Sequence, residues 1–93
     1  MAIESVRFEL IPDWEQCPAG DEFQHRDVAA VACDSQDRVY LHTREGDRVS
    51  VYREDGKFIG KWGDGIFRNA HGITIKNDVI YTTDNGDSVV RIF

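Results

Sequence analysis

The chain has 93 residues, 41% of them hydrophobic and 30% charged, with 17 acidic against 11 basic side chains and a formal net charge of −6. That composition fits one small, soluble, globular domain, and its acidity would repel a phosphate backbone, so nucleic acid is a poor partner. The longest uninterrupted apolar run, Val28 to Cys33, is far short of the roughly 20 residues a bilayer span needs, and the opening MAIESVRFEL lacks the flanks of an export signal, so neither a membrane nor secretion is expected.

In chain order, the first predicted element is a strand over Ser5 to Ile11, where Val6, Phe8 and Leu10 alternate with Arg7 and Glu9 until Pro12 stops it. A long connection follows. The next strands are Val28 to Cys33, Arg38 to Thr43, Arg48 to Arg53 and Lys57 to Trp62, separated by polar turns rich in Asp, Glu, Ser and Gly. After a second connection come Gly72 to Lys76, Asp78 to Thr83 and Ser88 to Phe93.

The two groups are copies of one unit. VACDSQDRVYLHTREGDRVSVY aligns with ITIKNDVIYTTDNGDSVVRIF, pairing Val31 with Ile73 and Cys33 with Ile75 at an offset of 42 residues. A two-residue deletion after Asn77 then pairs Val39 with Val79, Gly46 with Gly86 and Asp47 with Asp87 at an offset of 40. A period in the low forties, built of short strands and turn signals, marks the four-stranded blade of a β-propeller. The chain is thus expected to be all-β, with a closing strand at 5–11, a complete blade over 28–62 and three strands of a second blade over 72–93. One, four and three strands make two blades, which cannot close a ring alone.

The surplus strand at the front matches the deficit at the back. If each copy lends its first strand to the second blade of its neighbour, the contact is head-to-tail and must close into a ring or continue as a filament. Three copies give a six-bladed homotrimer, favoured here over four copies and eight blades.

VAAVACDSQDRVYLHTREGDRVSVYREDGKFIGKWGDGIF and AHGITIKNDVIYTTDNGDSVVRIF resemble NHL repeats, and over about residues 3 to 93 the pair is most similar to the first two blades of the peptidyl-α-hydroxyglycine α-amidating lyase family. The HTREGD turn with Arg44, the GIFRNAHGI passage with His71 and the PDW after the leading strand carry the likeness. Such lyases have six blades on a chain roughly three times as long, which makes this one a two-blade fragment or a minimised unit. The resemblance implies an axial zinc ion held by histidines from alternate blades at the position of His71, and a catalytic arginine at the position of Arg44. The family's catalytic tyrosine has no counterpart: the equivalent turns offer Arg44 and Glu45, then Asp84 and Asn85. Ala70 stands where the family usually has proline.

Apart from the resemblance, blade topology places the start of a first strand and the end of a second on the same rim, so His71 and Arg44 are expected to be neighbours. Threefold assembly would bring three His71 imidazoles to the axis as a zinc site with one open position. Arg44 would clamp an anion, such as a peptide carboxylate, or would simply pair with Glu45. His42 is expected to pack, and His25 to be a polar loop residue within reach of the rim. Cys17 and Cys33, with neither a disulfide framework nor a CxxC knuckle, are expected to be free, buried thiols. The acidic turn residues Asp34, Asp37, Asp47, Asp55, Asp64, Asp84 and Asp87 lack calcium-loop spacing and are read as backbone caps. Trp14, Trp62, Phe58 and Phe67 are expected between blades.

Three functions compete on these observations: a self-assembling propeller scaffold with an axial metal and little or no catalysis; a zinc-dependent lyase or hydrolase in which Arg44 orients an anionic substrate; and a module that binds peptides or proteins through its rim loops.

Overall fold

The computed structural model describes residues 5–44, 46 and 48–93; Glu45 and Asp47, named above, lie outside them. Alternating apolar residues and turn-forming Asp, Asn and Gly give seven strands: β1 (Val28–Cys33), β2 (Val39–Thr43), β3 (Arg48–Tyr52), β4 (Phe58–Trp62), β5 (Ala70–Lys76), β6 (Val79–Asp84) and β7 (Val89–Ile92). They form two antiparallel meanders, β1-β2-β3-β4 and β5-β6-β7. The chain is therefore all-β, with sheets of four and three strands compatible with propeller blades. No helix among the described residues is long and apolar enough to cross a membrane.

The repeat extends to an irregularity. The β1–β2 register shifts between Val28 and Ala30, and the β5–β6 register shifts between Ala70 and Gly72. Each first strand thus carries a bulge, at Ala29 and at His71, separated by the same 42 residues as the sequence offset. The β5–β6 turn is Asn77-Asp78, with φ of 51° and 60°. That is the left-handed pair a two-residue hairpin needs, and it turns Asp78 from the expected first residue of a strand into a turn residue.

The core is the seam between the sheets. β5 runs against β1 and, less extensively, β2. Tyr40, Val49, Val51, Phe67 and Ile73 are buried there, with Ala30, Ala32, Trp62, Ile75 and Ile80 packed around them. Small alanines on β1 let the sheets approach, and the larger Ile73 and Ile75 of β5 fill the space. Phe67, in the connection between the sheets, closes the seam: its ring meets His42 at 4.5 Å, Phe93 at 6.1 Å and Trp62 at 6.2 Å, and the Arg91 guanidinium lies 5.7 Å above it. Trp62 also meets Phe93 edge-on at 4.8 Å. Trp62 and Phe67 therefore join the sheets, as expected.

Trp14 and Phe58 have another role. Trp14 packs on Tyr52 at 5.9 Å and donates its indole N–H to the Glu54 carbonyl, while Phe58 meets Phe23 and Tyr52. The long connection is thus docked on the β3–β4 hairpin of the first sheet, where Gln16 forms an isolated bridge with Lys57 and its amide donates to the Gly56 carbonyl over 2.9 Å. Gly56, at φ 89°, permits this approach, because a Cβ there would overlap the Trp14 carbonyl. Covered on both faces, β3 is buried along its whole length.

Carboxylates fasten the turns. Asp34 accepts the amides of Gln36 and Arg38, the Arg38 Nε at 2.5 Å and the Tyr40 hydroxyl at 2.9 Å. Asp78 accepts the amide and hydroxyl of Ser35, tying the β5–β6 turn to the β1–β2 turn across the seam. Asp84, buried at the end of β6, accepts the amides of Arg68, Asn69 and Gly86 at 2.7, 3.0 and 2.8 Å. Burial pushes the Asp84 carboxyl up, but the amides of Arg68, Asn69, Gly86 and Asp87 outweigh it and bring it down to about 2.

The segment 5–11 forms no ladder within this single chain. Its apolar side chains stand in solvent, Phe8 at 92% and Leu10 at 90% of full exposure. The total accessible surface of 6614 Å² exceeds the about 5,500 Å² expected of a folded monomer of this mass, and the radius of gyration of 14.7 Å exceeds the expected value of about 12 Å.

Two outcomes follow from the seam. Phe67→Ala should cost about 3–5 kcal/mol, seen as a lowered denaturation midpoint. Because its pKa falls on folding, Asp84 contributes stability that is complete above its ordinary value of 3.8 and is lost as the pH falls toward about 2. Asp84→Ala should therefore flatten the acid-unfolding profile in that window while destabilising the protein by about 2 kcal/mol or more at neutral pH.

Candidate functional site

Two clusters bear chemistry, one on a rim of the seam and one beneath the docked connection. On the rim, Arg44 directly follows β2, and the Val28–Thr43 pairing brings it to the start of β1. Its amide donates to the Asp27 carbonyl, its Nη1 contacts both Asp27 carboxylate oxygens at 3.2 and 3.3 Å, and its Nε donates to the Ala70 carbonyl at 3.0 Å. The guanidinium therefore lies beside the backbone that precedes His71, so the expected neighbourhood is formed. Arg44 forms an ion pair with Asp27 and works as a tie between the sheets, with two donor positions engaged; the expected pair with Glu45 falls outside the described residues.

His71 lies inside β5, at the bulge, where the sequence placed it just before the strand. A bulge turns a side chain out of the regular alternation, and His71 is exposed. At the corresponding bulge of the first sheet stands Ala29, so the two sheets alternate imidazole and methyl at this position. His42 is fully buried in the seam, its Nδ1 3.2 Å from the Arg48 carbonyl, in keeping with a packing role.

The second cluster was not anticipated as a unit. Gln16, bridged to the hairpin, sends its side-chain amide to the Asp55 carbonyl at 3.3 Å. Alternation in extended backbone then turns Glu15 and Cys17 to the other side. A tight turn follows, with Gly20 at φ 121° and hydrogen bonds from Phe23 to Gly20 and from Gln24 to Asp21, and returns the chain so that His25 faces them. The donor atoms of Glu15, Cys17 and His25 lie within 4.8 Å of one another, and all three residues are half-buried. His25 Nε2 is in close contact with Glu15 Oε2, which also accepts the Tyr52 hydroxyl at 2.8 Å. Cys17 Sγ donates to the Phe23 carbonyl at 3.2 Å and accepts from the Gln24 amide at 3.9 Å. Carboxylate, thiol and imidazole together form a set that could bind a metal ion.

The cysteines are free, as expected, but not buried: Cys33 is exposed at the end of β1, and Cys17 is intermediate. Cys33 falls on the side of β1 away from the seam, where none of the described residues covers it, whereas Cys17 is shielded by the folded connection. The signal for the second cluster, Glu-x-Cys followed eight residues later by His, was readable, but its significance depends on a turn across Pro18–Asp21 that no periodicity predicts.

Neither a protein-family model nor a curated protein matches the chain.

Tyr40 and Tyr52 anchor these regions as neutral phenols. Burial raises both above the ordinary value of 10.0, aided by Asp34 for Tyr40 and by Glu15 and Cys17 for Tyr52. Their contribution to stability is complete below pH 10 and is lost as the pH climbs toward their folded-state values. Ultraviolet titration should show these two phenols ionising later than a free tyrosine, and Tyr52→Phe should remove the latest-ionising component.

Proposed function

We propose that the chain is a two-blade, NHL-type building unit that assembles with copies of itself into a six-bladed homotrimeric propeller. The observation that carries this reading is the open outer edge of β7. Among the described residues the second sheet has three strands, its edge and outer face present Val90 at 61% and Ile92 at 64% exposure, and the alternating apolar segment 5–11, which forms no ladder, is of strand length. An unpaired apolar edge and an unpaired apolar strand on one chain satisfy each other between chains. Val31, exposed on the far side of the first sheet, gives the neighbouring copy a second apolar surface to cover.

The alternation of Ala29 and His71 at the repeated bulge supports a metal on the axis. In a ring of three copies every second blade would present an imidazole inward, giving three nitrogen donors and an open position suited to zinc. Arg44, beside each His71 backbone, would set a positive rim for a small anionic or peptide ligand. A lyase or hydrolase activity draws less support, because Nε and Nη1 of Arg44 are engaged with Ala70 and Asp27, and Asp84 at the equivalent place in the second unit is consumed by backbone amides.

Native mass spectrometry should give a species of three times the 10.6 kDa chain mass. Replacing Val6, Phe8 and Leu10 together by Asp should reduce it to monomer or disordered aggregate, and an unchanged trimer would overturn strand exchange. His71→Ala should preserve the trimer and remove one bound zinc per three chains.

A further inference from the structure

We propose that Glu15, Cys17 and His25 form a second metal site, one per chain, that binds a borderline-soft transition dication such as Zn2+ and fastens the N-terminal connection to the first sheet. It does not depend on ring assembly or on His71.

The donor set is the first reason. Thiolate and imidazole select zinc-like ions over calcium or magnesium, and a carboxylate completes three protein ligands with a fourth position for water. The second reason is geometric. Bond lengths of about 2.0–2.3 Å around a tetrahedral centre place donors roughly 3.3–3.8 Å apart. The three donors already lie within 4.8 Å, so small side-chain rotations close the site. Positioning is the third. Glu15 and Cys17 are held by the Gln16 bridge to the β3–β4 hairpin, and the turn beginning at Gly20 brings in His25. All three ligands come from one segment that is pinned to the sheet at one end and folded back on itself at the other.

An outer shell is also present. Tyr52 is fully buried, donates to Glu15 and fixes that carboxylate from the sheet side. The Gln24 amide points to Cys17 Sγ at 3.9 Å. Such partners orient ligands and typically alter metal affinity about 10–100-fold. A cleft of about 520 Å³ lined by Asp21, Gln24, His25 and Arg26 provides an entry path from solvent. On binding, Cys17 releases its thiol proton to solvent and His25 donates the lone pair of a neutral imidazole, so loading should weaken as the pH falls.

The test uses the intact chain, stripped with a chelator and titrated with Co2+ and Zn2+. The expected result is one metal per chain at this site, counted apart from any axial metal, with a thiolate-to-cobalt charge-transfer band that Cys17→Ser abolishes, while Cys33→Ser and His71→Ala leave it intact. His25→Ala should weaken binding at least about tenfold, and Tyr52→Phe should weaken it about 10–100-fold while the apo protein keeps its β-rich circular dichroism. Absence of the band in the parent chain overturns the proposal, as does its loss in Cys33→Ser. So does metal found only at one per three chains and removed by His71→Ala, a result that would leave the axial site standing. Trimer loss with one metal per chain retained would instead overturn the assembly reading alone.

Discussion

The seam between the two sheets is the contact on which the rest of the molecule depends. Neither sheet could persist in isolation: a meander of three or four short strands has two faces and two edges, and needs at least one apolar face covered. Ala30 and Ala32 on β1 admit the isoleucines of β5, and Phe67 seals the outer end against His42, Trp62 and Phe93. Polar ties fix the rotation that apolar packing leaves free. Ser35 to Asp78 joins turn to turn, and Arg44 to Ala70 joins the end of β2 to the start of β5. These ties set where His71 and Arg44 stand, because both residues lie at the margin of the seam.

The carboxylates behind this arrangement are structural, and their chemistry shows it. Asp34 and Asp84 are both buried, and both are held ionised by converging donors, from its own turn and Tyr40 for Asp34 and from its own turn and the connection before β5 for Asp84. In both, backbone amides and an arginine occupy the carboxylate oxygens, so these two aspartates serve to hold their turns. Arg91 reinforces the pattern: its salt bridges to Asp84 and Asp87 hold the guanidinium over Phe67, so one side chain serves the turn and the seam together.

Strand positions were legible in the sequence because period-two apolarity and turn chemistry are local, and the repeat supplied a second reading of each element. Val28–Cys33 was read to the residue and the other six observed strands were displaced only at their ends, where Asn77-Asp78 took the turn and Asp84 joined the ladder, whereas 5–11, read as a strand, forms none within the single chain. The neighbourhood of His71 and Arg44 followed from topology. What was not legible depended on contacts distant in sequence. Trp14 and Phe58 read as aromatic residues for a blade interface, yet they serve the docked connection, since nothing local says that Gly56 leaves room for the Trp14 backbone.

The docked connection links the two parts of the molecule that do not finish themselves. Residues 14 to 16 are fixed to the hairpin by the Trp14 indole and the Gln16 bridge, and Asp13, with φ of 54°, turns the chain away immediately before them. The apolar segment 5–11 is consequently presented outward from a rigid anchor and does not lie along its own sheet. In the proposed assembly, preorganising that anchor would reduce the entropy lost as segment 5–11 pairs with another copy, because fewer residues would remain to be ordered. The Glu15, Cys17 and His25 cluster lies at the base of this arm. Whatever stiffens the cluster stiffens the point from which segment 5–11 departs, and so would favour the proposed ring without adding a contact between copies.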